Sequence, residues 1–159
     1  MKQIGHFVRF ILISVCLPGL PEALAGSAQP PSVAAGAALL ISDLHFDPLA
    51  DPSLLKQLID APVRDWETIF SSSKQNGYAH APDDANYPLI KSALSAAAAQ
   101  SSVDFVIGTG DYLRHNFEEA FLKAGGTPDQ FTDFATKTAL FVVRAVAEQF
   151  AVRVIGPMI

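Results

Sequence analysis

Two aspartates and a histidine are the residues whose types and spacing point most directly to chemistry. Asp43 and His45 stand two apart just after the apolar run Leu39-Leu40-Ile41. Asp111 ends a second stretch of the same form, Phe105-Val106-Ile107-Gly108-Thr109-Gly110. A carboxylate oxygen and a neutral imidazole nitrogen bind divalent zinc, iron or manganese at about 2.0–2.2 Å. Once the chain leaves strand geometry, both members of an Asp-x-His pair can turn toward one ion. Open α/β sheets place their sites at the carboxyl ends of the strands. The expectation is a divalent-metal centre on Asp43, His45 and Asp111. Gly108 and Gly110 suit it, because a tight turn and close backbone approach favour residues without a Cβ. A structural reading competes: aspartates at strand-to-helix turns also cap helices. Asp-x-His alone arises by chance; its pairing with a second strand ending in Gly-Asp makes the spacing informative.

The elements that must position these residues follow from periodicity. Residues 37–42 are nearly continuously apolar, the pattern of a parallel strand buried on both faces, and 103–108 read as a second buried strand. Asp51-Pro52 is a helix start, with Asp51 as cap and Pro52 at the first helical position. Leu54, Leu55, Leu58 and Ile59 form one helical face, Pro62 interrupts it, and Trp66, Ile69 and Phe70 continue in a second short helix. Residues 71–84 are polar and carry the turn signals Asn76-Gly77 and Pro82; His80 in this stretch is assigned no role. Asn86-Tyr87-Pro88 opens a helix to about Gln100, and residues 112–123 read as another, ending at Gly125-Gly126. Thr127-Pro128-Asp129-Gln130 is a capping box with proline inside. A long helix follows it, on Phe131, Phe134, Thr138, Phe141 and Ala145. Residues 151–155 form a third apolar strand. Strand, helices, strand, helices, strand is an α/β pattern with a parallel sheet of three strands.

The chain has 159 residues, of which 50% are hydrophobic. That fits one domain with material for a core. The formal charge is -5 with no basic block, which excludes nucleic acid as the expected partner, because phosphate neutralisation needs clustered Lys and Arg. The N-terminus reads as a secretory signal over residues 1–25. Lys2 and Arg9 supply the charged region, an apolar run extends from Phe10 to Cys16, and Ala23-Leu24-Ala25 is the cleavage site. The run is far short of the roughly 20 residues needed to span a bilayer, so no stable membrane insertion is expected after cleavage. The product would be periplasmic or secreted. Cleavage removes Cys16, the only cysteine, so disulfides, thiol chemistry and Cys-bound zinc are excluded. Residues 26–36 are a small, Pro-containing linker, leaving 37–159 as the domain.

Ser42-Asp43-Leu44-His45 together with Gly110-Asp111 resembles the first two motifs of the calcineurin-like metallophosphoesterases. His115, four residues after Asp111, and the segment Asn86-Tyr87-Pro88-Leu89-Ile90-Lys91-Ser92-Ala93-Leu94 resemble the acid-sphingomyelinase-like branch. The resemblance covers about residues 39–155, the front half of such a domain, and implies the parallel-sheet half of an αββα sandwich. It implies a phosphodiesterase or phosphatase in which metal-activated hydroxide attacks phosphorus of a small phosphoester. Asp43 and His45 would bind the first metal, Asp111 would bridge two metals, and His115 would be the catalytic proton donor. The structural reading of His115 is a solvent-exposed helix histidine. The chain departs from the family after the third strand. Val154-Ile155 is followed by Gly156-Pro157-Met158-Ile159, with no Asn or His for the second metal. The expectation is at most one well-liganded ion and little or no activity from these 159 residues alone.

Two other readings remain open at this point. An aspartyl-phosphate hydrolase with Asp43 as nucleophile would want a second aspartate where His45 stands. An exported, non-catalytic α/β domain would use the acidic strand ends to hold an ion or ligand. Substrate identity and oligomeric state are not specified by any residue pattern.

Overall fold

A computed structural model describes residues 36–100, 103–150 and 153–155. The expected signal peptide, its cleavage site after Ala25, all of the linker except Gly36 and the terminal Gly156-Pro157-Met158-Ile159 lie outside the described residues. The chain alternates strands and helices. β1 is Ala38–Ile41, α1 Leu55–Asp60, α2 Trp66–Ser71, α3 Tyr87–Gln100, β2 Phe105–Gly108, α4 Phe117–Lys123, α5 Pro128–Phe150 and β3 Arg153–Ile155. The strands pair in parallel in the order β1-β2-β3. Leu40 lies opposite Ile107, and Ile107 opposite Ile155. Parallel pairing brings the ends of β1 and β2 to the same edge, and with them the two loops that carry Asp43, His45 and Asp111.

The core gathers on one face of this sheet. Ile41 and Val106 are buried with Ile90 and Leu94 of α3 and with Phe134, Phe141, Val142 and Val146 of α5. Trp66 is fully enclosed, its ring 5.6 Å from that of Phe134 and 5.7 Å from that of Phe141. The apolar strands predict burial on both faces. Among the described residues only one face is covered: Leu40 is 55% exposed, and neither Leu40 nor its neighbour Ile107 belongs to the core cluster. Side chains alternate along a strand, so Leu40 and Ile107 face away from the side on which Ile41 and Val106 meet the helices.

The start of the first helical segment follows its sequence signals. Asp51 caps a short 3₁₀ turn, Pro52–Leu54, that leads into α1. Its Oδ1 accepts from the Ser53 amide, and its Oδ2 accepts from the Ser73 hydroxyl at 2.6 Å, tying the end of α2 back to the start of α1. The hydroxyls of Ser53 and Ser73 hold the Asp51 carboxyl below its ordinary value. A lowered folded value means that the stabilisation is present above the unfolded value near 3.8 and is lost as pH falls through the folded one. Asp51→Ala should cost about 1 kcal/mol at neutral pH. Asp51→Asn should flatten the acid limb of a stability-versus-pH curve measured by urea unfolding; an unchanged limb would refute the role.

One expected helix is shorter than its pattern. Residues 112–123 read as helical, yet α4 begins at Phe117. Residues 112–114 are instead held in extended backbone pairing: Phe46 N–H donates to Tyr112 O at 2.8 Å, and Arg114 N–H to Phe46 O at 3.2 Å. Those bonds commit the backbone groups that a helix there would need. At the next helix start, Gln130 Oε1 accepts from both the Thr127 amide and hydroxyl, one arm of the expected capping box.

Candidate metal centre

The loop after β1 and the loop after β2 are laced together before any side chain is considered. His45 N–H donates to Asp111 O at 3.2 Å, Asp47 N–H to Ala85 O at 2.8 Å, and Ala85 N–H to His45 O at 3.1 Å. Phe46 bridges to both Ala85 and Leu113 and is fully buried. The backbone of the site is thus anchored on two sides by hydrogen bonds and from below by an aromatic ring in the core.

Four non-glycine residues among the described ones adopt left-handed backbone: Asp43 at φ 56°, His45 at φ 41°, Asp111 at φ 55° and Asn116 at φ 50°. Left-handed geometry costs an ordinary residue roughly 1–2 kcal/mol, and such strain persists only where the surroundings over-determine it. The first three of these are the residues singled out by their spacing. The loop geometry directs them toward one another. His45 Nε2 lies 3.5 Å from Asp111 Oδ2 and 4.0 Å from Asp43 Oδ1. One ligand atom from each residue falls within 4.8 Å of the others. The Ser42 hydroxyl donates to Asp43 Oδ2. Gly110 takes φ 110°, and a Cβ on Gly108 would strike the Tyr112 hydroxyl. Gly110 thus holds a backbone that glycine favours, and a side chain at 108 would have to displace the Tyr112 hydroxyl.

A backbone carbonyl lies behind the His45 ring. Its Nδ1 faces Leu113 O at 3.4 Å, so a proton on Nδ1 leaves the Nε2 lone pair on the side of the two carboxylates. Second partners of this kind orient metal-binding histidines. The oxygen, nitrogen, oxygen donor set suits zinc, manganese or iron.

His115 stands beside this group. Its ring stacks on that of His45 with centroids 4.3 Å apart. Asp84 grips it twice, accepting from the His115 amide through Oδ2 at 3.0 Å and meeting Nδ1 through Oδ1 at 2.7 Å. His115 precedes α4, so it is a loop residue rather than the helix histidine of the structural reading. Asp84 escaped sequence reasoning, since it lies 31 residues before its partner in a stretch read only as turns. With His45 and His115 it forms a second group of ligand atoms within 4.8 Å.

Arg114 braces the same loops, at 2.9 Å from Asp47 Oδ2 and 3.8 Å from Asp84 Oδ2. Burial pushes the Asp47 carboxyl above its ordinary value, opposed by the Leu49 amide and by Arg114. No family model matches the chain, and no curated protein or solved structure matches it either.

Proposed function

We propose that the chain carries the metal-binding half of a phosphoester hydrolase centre of the calcineurin-like type, in a protein exported to the periplasm or beyond. The observation that carries this is the convergence of Asp43, His45 and Asp111, all three in left-handed backbone, at the carboxyl edge of a parallel sheet. These are the residues that the metallophosphoesterase motifs would assign to the metal. Export rests on the basic, apolar and small-residue pattern of residues 1–25. No helix among the described residues is long and apolar enough to cross a membrane.

Each side chain has a role in this reading. Asp43, His45 and Asp111 would hold one divalent ion. A bound ion of this kind lowers the pKa of water and neutralises charge on phosphoryl oxygens. Asp84 fixes the His115 ring through Nδ1, leaving Nε2 as the atom able to give a proton to the leaving oxygen. The laced loops hold these groups in place before substrate arrives.

Three ligands from this chain leave one ion incompletely bound, and no second cluster shares Asp111 among the described residues. The expected result is measurable zinc or manganese binding with weak turnover of bis-p-nitrophenyl phosphate. Asp111→Ala should remove both. Metal binding lost in Asp43→Ala and His45→Ala supports this reading even where turnover is negligible; a folded protein with no affinity for divalent ions would overturn it and favour a non-catalytic domain.

A further inference from the structure

We infer that the cavity beside the candidate centre receives the alcohol substituent of a phosphodiester, and that it takes an uncharged, hydroxyl-bearing group rather than one carrying a second phosphate. The inference rests on the phosphoester reading above. A cavity of about 720 Å³ lies between the loop before α3 and the loop after β2. Small-molecule sites occupy roughly 300–1,000 Å³, so the space exceeds what a phosphate group alone would fill. Asp43, His45 and Asp111 do not line it; the link to the centre is His115. Asp84 and His115 line it, and the His115 ring lies against that of His45. With a divalent ion on Asp43, His45 and Asp111, a phosphodiester at that ion would lie beside His115, and its substituent could reach the cavity that His115 lines.

Charge selects the substituent. Asp47, Asp83 and Asp84 line the cavity, and Arg114 is the only Lys or Arg among its lining residues. The Arg114 guanidinium is already committed to Asp47 and Asp84. A second phosphate would meet the carboxylates of Asp47, Asp83 and Asp84, like charges that repel it, and besides Arg114 only the imidazoles of His80 and His115 line the cavity as groups able to carry positive charge. The neutral groups are better placed. The side chains of Gln75 and Asn116 line the cavity and make no hydrogen bond among the described residues. Amides both donate and accept, as hydroxyl partners require. Tyr78, 54% exposed, adds an aromatic wall. Asn86, by contrast, is spent on structure: it donates to Gly77 O at 2.8 Å and accepts from the Ala79 and Leu89 amides at 3.2 Å, which holds the loop open.

The test is amide NMR on the full chain after zinc has been titrated in. The probes are glycerophosphoglycerol and its terminally phosphorylated analogue. Glycerophosphoglycerol should shift the amides of Gly77, Ala79 and Asn116, and the analogue should bind at least about tenfold more weakly. Gln75→Ala combined with Asn116→Gly, which keeps the left-handed backbone at 116, should weaken glycerophosphoglycerol about fivefold or more and leave zinc affinity unchanged. If zinc binds but the cavity amides do not move, the inference fails while the metal reading stands. It fails in the same way if the analogue binds as tightly or the double variant binds normally. If zinc does not bind, the metal reading fails and takes the inference with it.

Discussion

His45→Ala should lower the affinity for zinc by about 100-fold or more, measured by titration calorimetry on folded protein, because it removes the nitrogen ligand and not merely a supporting contact. Two groups of ligand atoms contain His45, and the acidic partners separate them. Asp111→Ala disrupts only the group with Asp43, whereas Asp84→Ala disrupts only the group with His115. The expected outcome is loss of binding in Asp111→Ala and near-native affinity in Asp84→Ala. The reason is prior commitment: both Asp84 oxygens already hold His115, while Asp43 and Asp111 keep more than half of their side-chain surface exposed. The opposite pattern would move the ion to the Asp84 side and end the resemblance to the phosphoesterase motifs. Folding controls are needed in each case, and circular dichroism supplies them. Relief of left-handed strain works against any destabilisation, so Asp111→Gly should be at least as stable as Asp111→Ala while binding no better.

Trp66→Ala should destabilise the protein by about 3–5 kcal/mol. Trp66 is fully buried and touches rings from two helices, with Phe70 at 5.9 Å and Phe134 and Phe141 at 5.6 and 5.7 Å. Its indole N–H also donates to Leu58 O at 3.1 Å. Trp66→Phe separates the two contributions. It keeps most of the apolar volume but leaves the Leu58 carbonyl without its donor, and should cost about 1–3 kcal/mol. Urea unfolding reads both. A loss below about 1 kcal/mol in Trp66→Ala would mean that the aromatic cluster relaxes around the gap, against close packing. Because Phe46 stacks on Phe141 at 5.4 Å and lies next to His45, damage to this cluster should also loosen the loop that carries the candidate ligands. Zinc affinity of the folded fraction should fall in Trp66→Ala and not in Trp66→Phe.

Much of the helical order was legible one residue at a time. The apolar faces of α3 and α5, the Asp51-Pro52 start and the end near Gly125 depend on contacts within a few positions, which local spacing encodes. The same logic overran at residues 112–116. Their pattern is helical, but the backbone donors and acceptors there bond to the loop after β1, and a non-local ladder overrides local preference. The strands were legible as strands, yet their mostly apolar character predicted two covered faces, and only the face of Ile41 and Val106 is packed among the described residues. Asp84 was invisible for a related reason. Nothing in a polar, turn-rich stretch marks one aspartate over another until the fold sets it against His115.

By itself, the amino-acid sequence determined the chemistry on offer: two aspartates and a histidine at strand ends, and a domain left without cysteine if the signal is removed. It also set which faces of the helices are apolar. Only the tertiary structure decided that ligand atoms of Asp43, His45 and Asp111 come within 4.8 Å of one another, that the Leu113 carbonyl lies behind the imidazole, and that Asp84 holds His115 beside it. Side-chain type and periodicity are local properties of the chain. Convergence depends on parallel pairing of β1 with β2 across more than 60 residues of intervening chain, and on left-handed turns that are stable only once that pairing has formed.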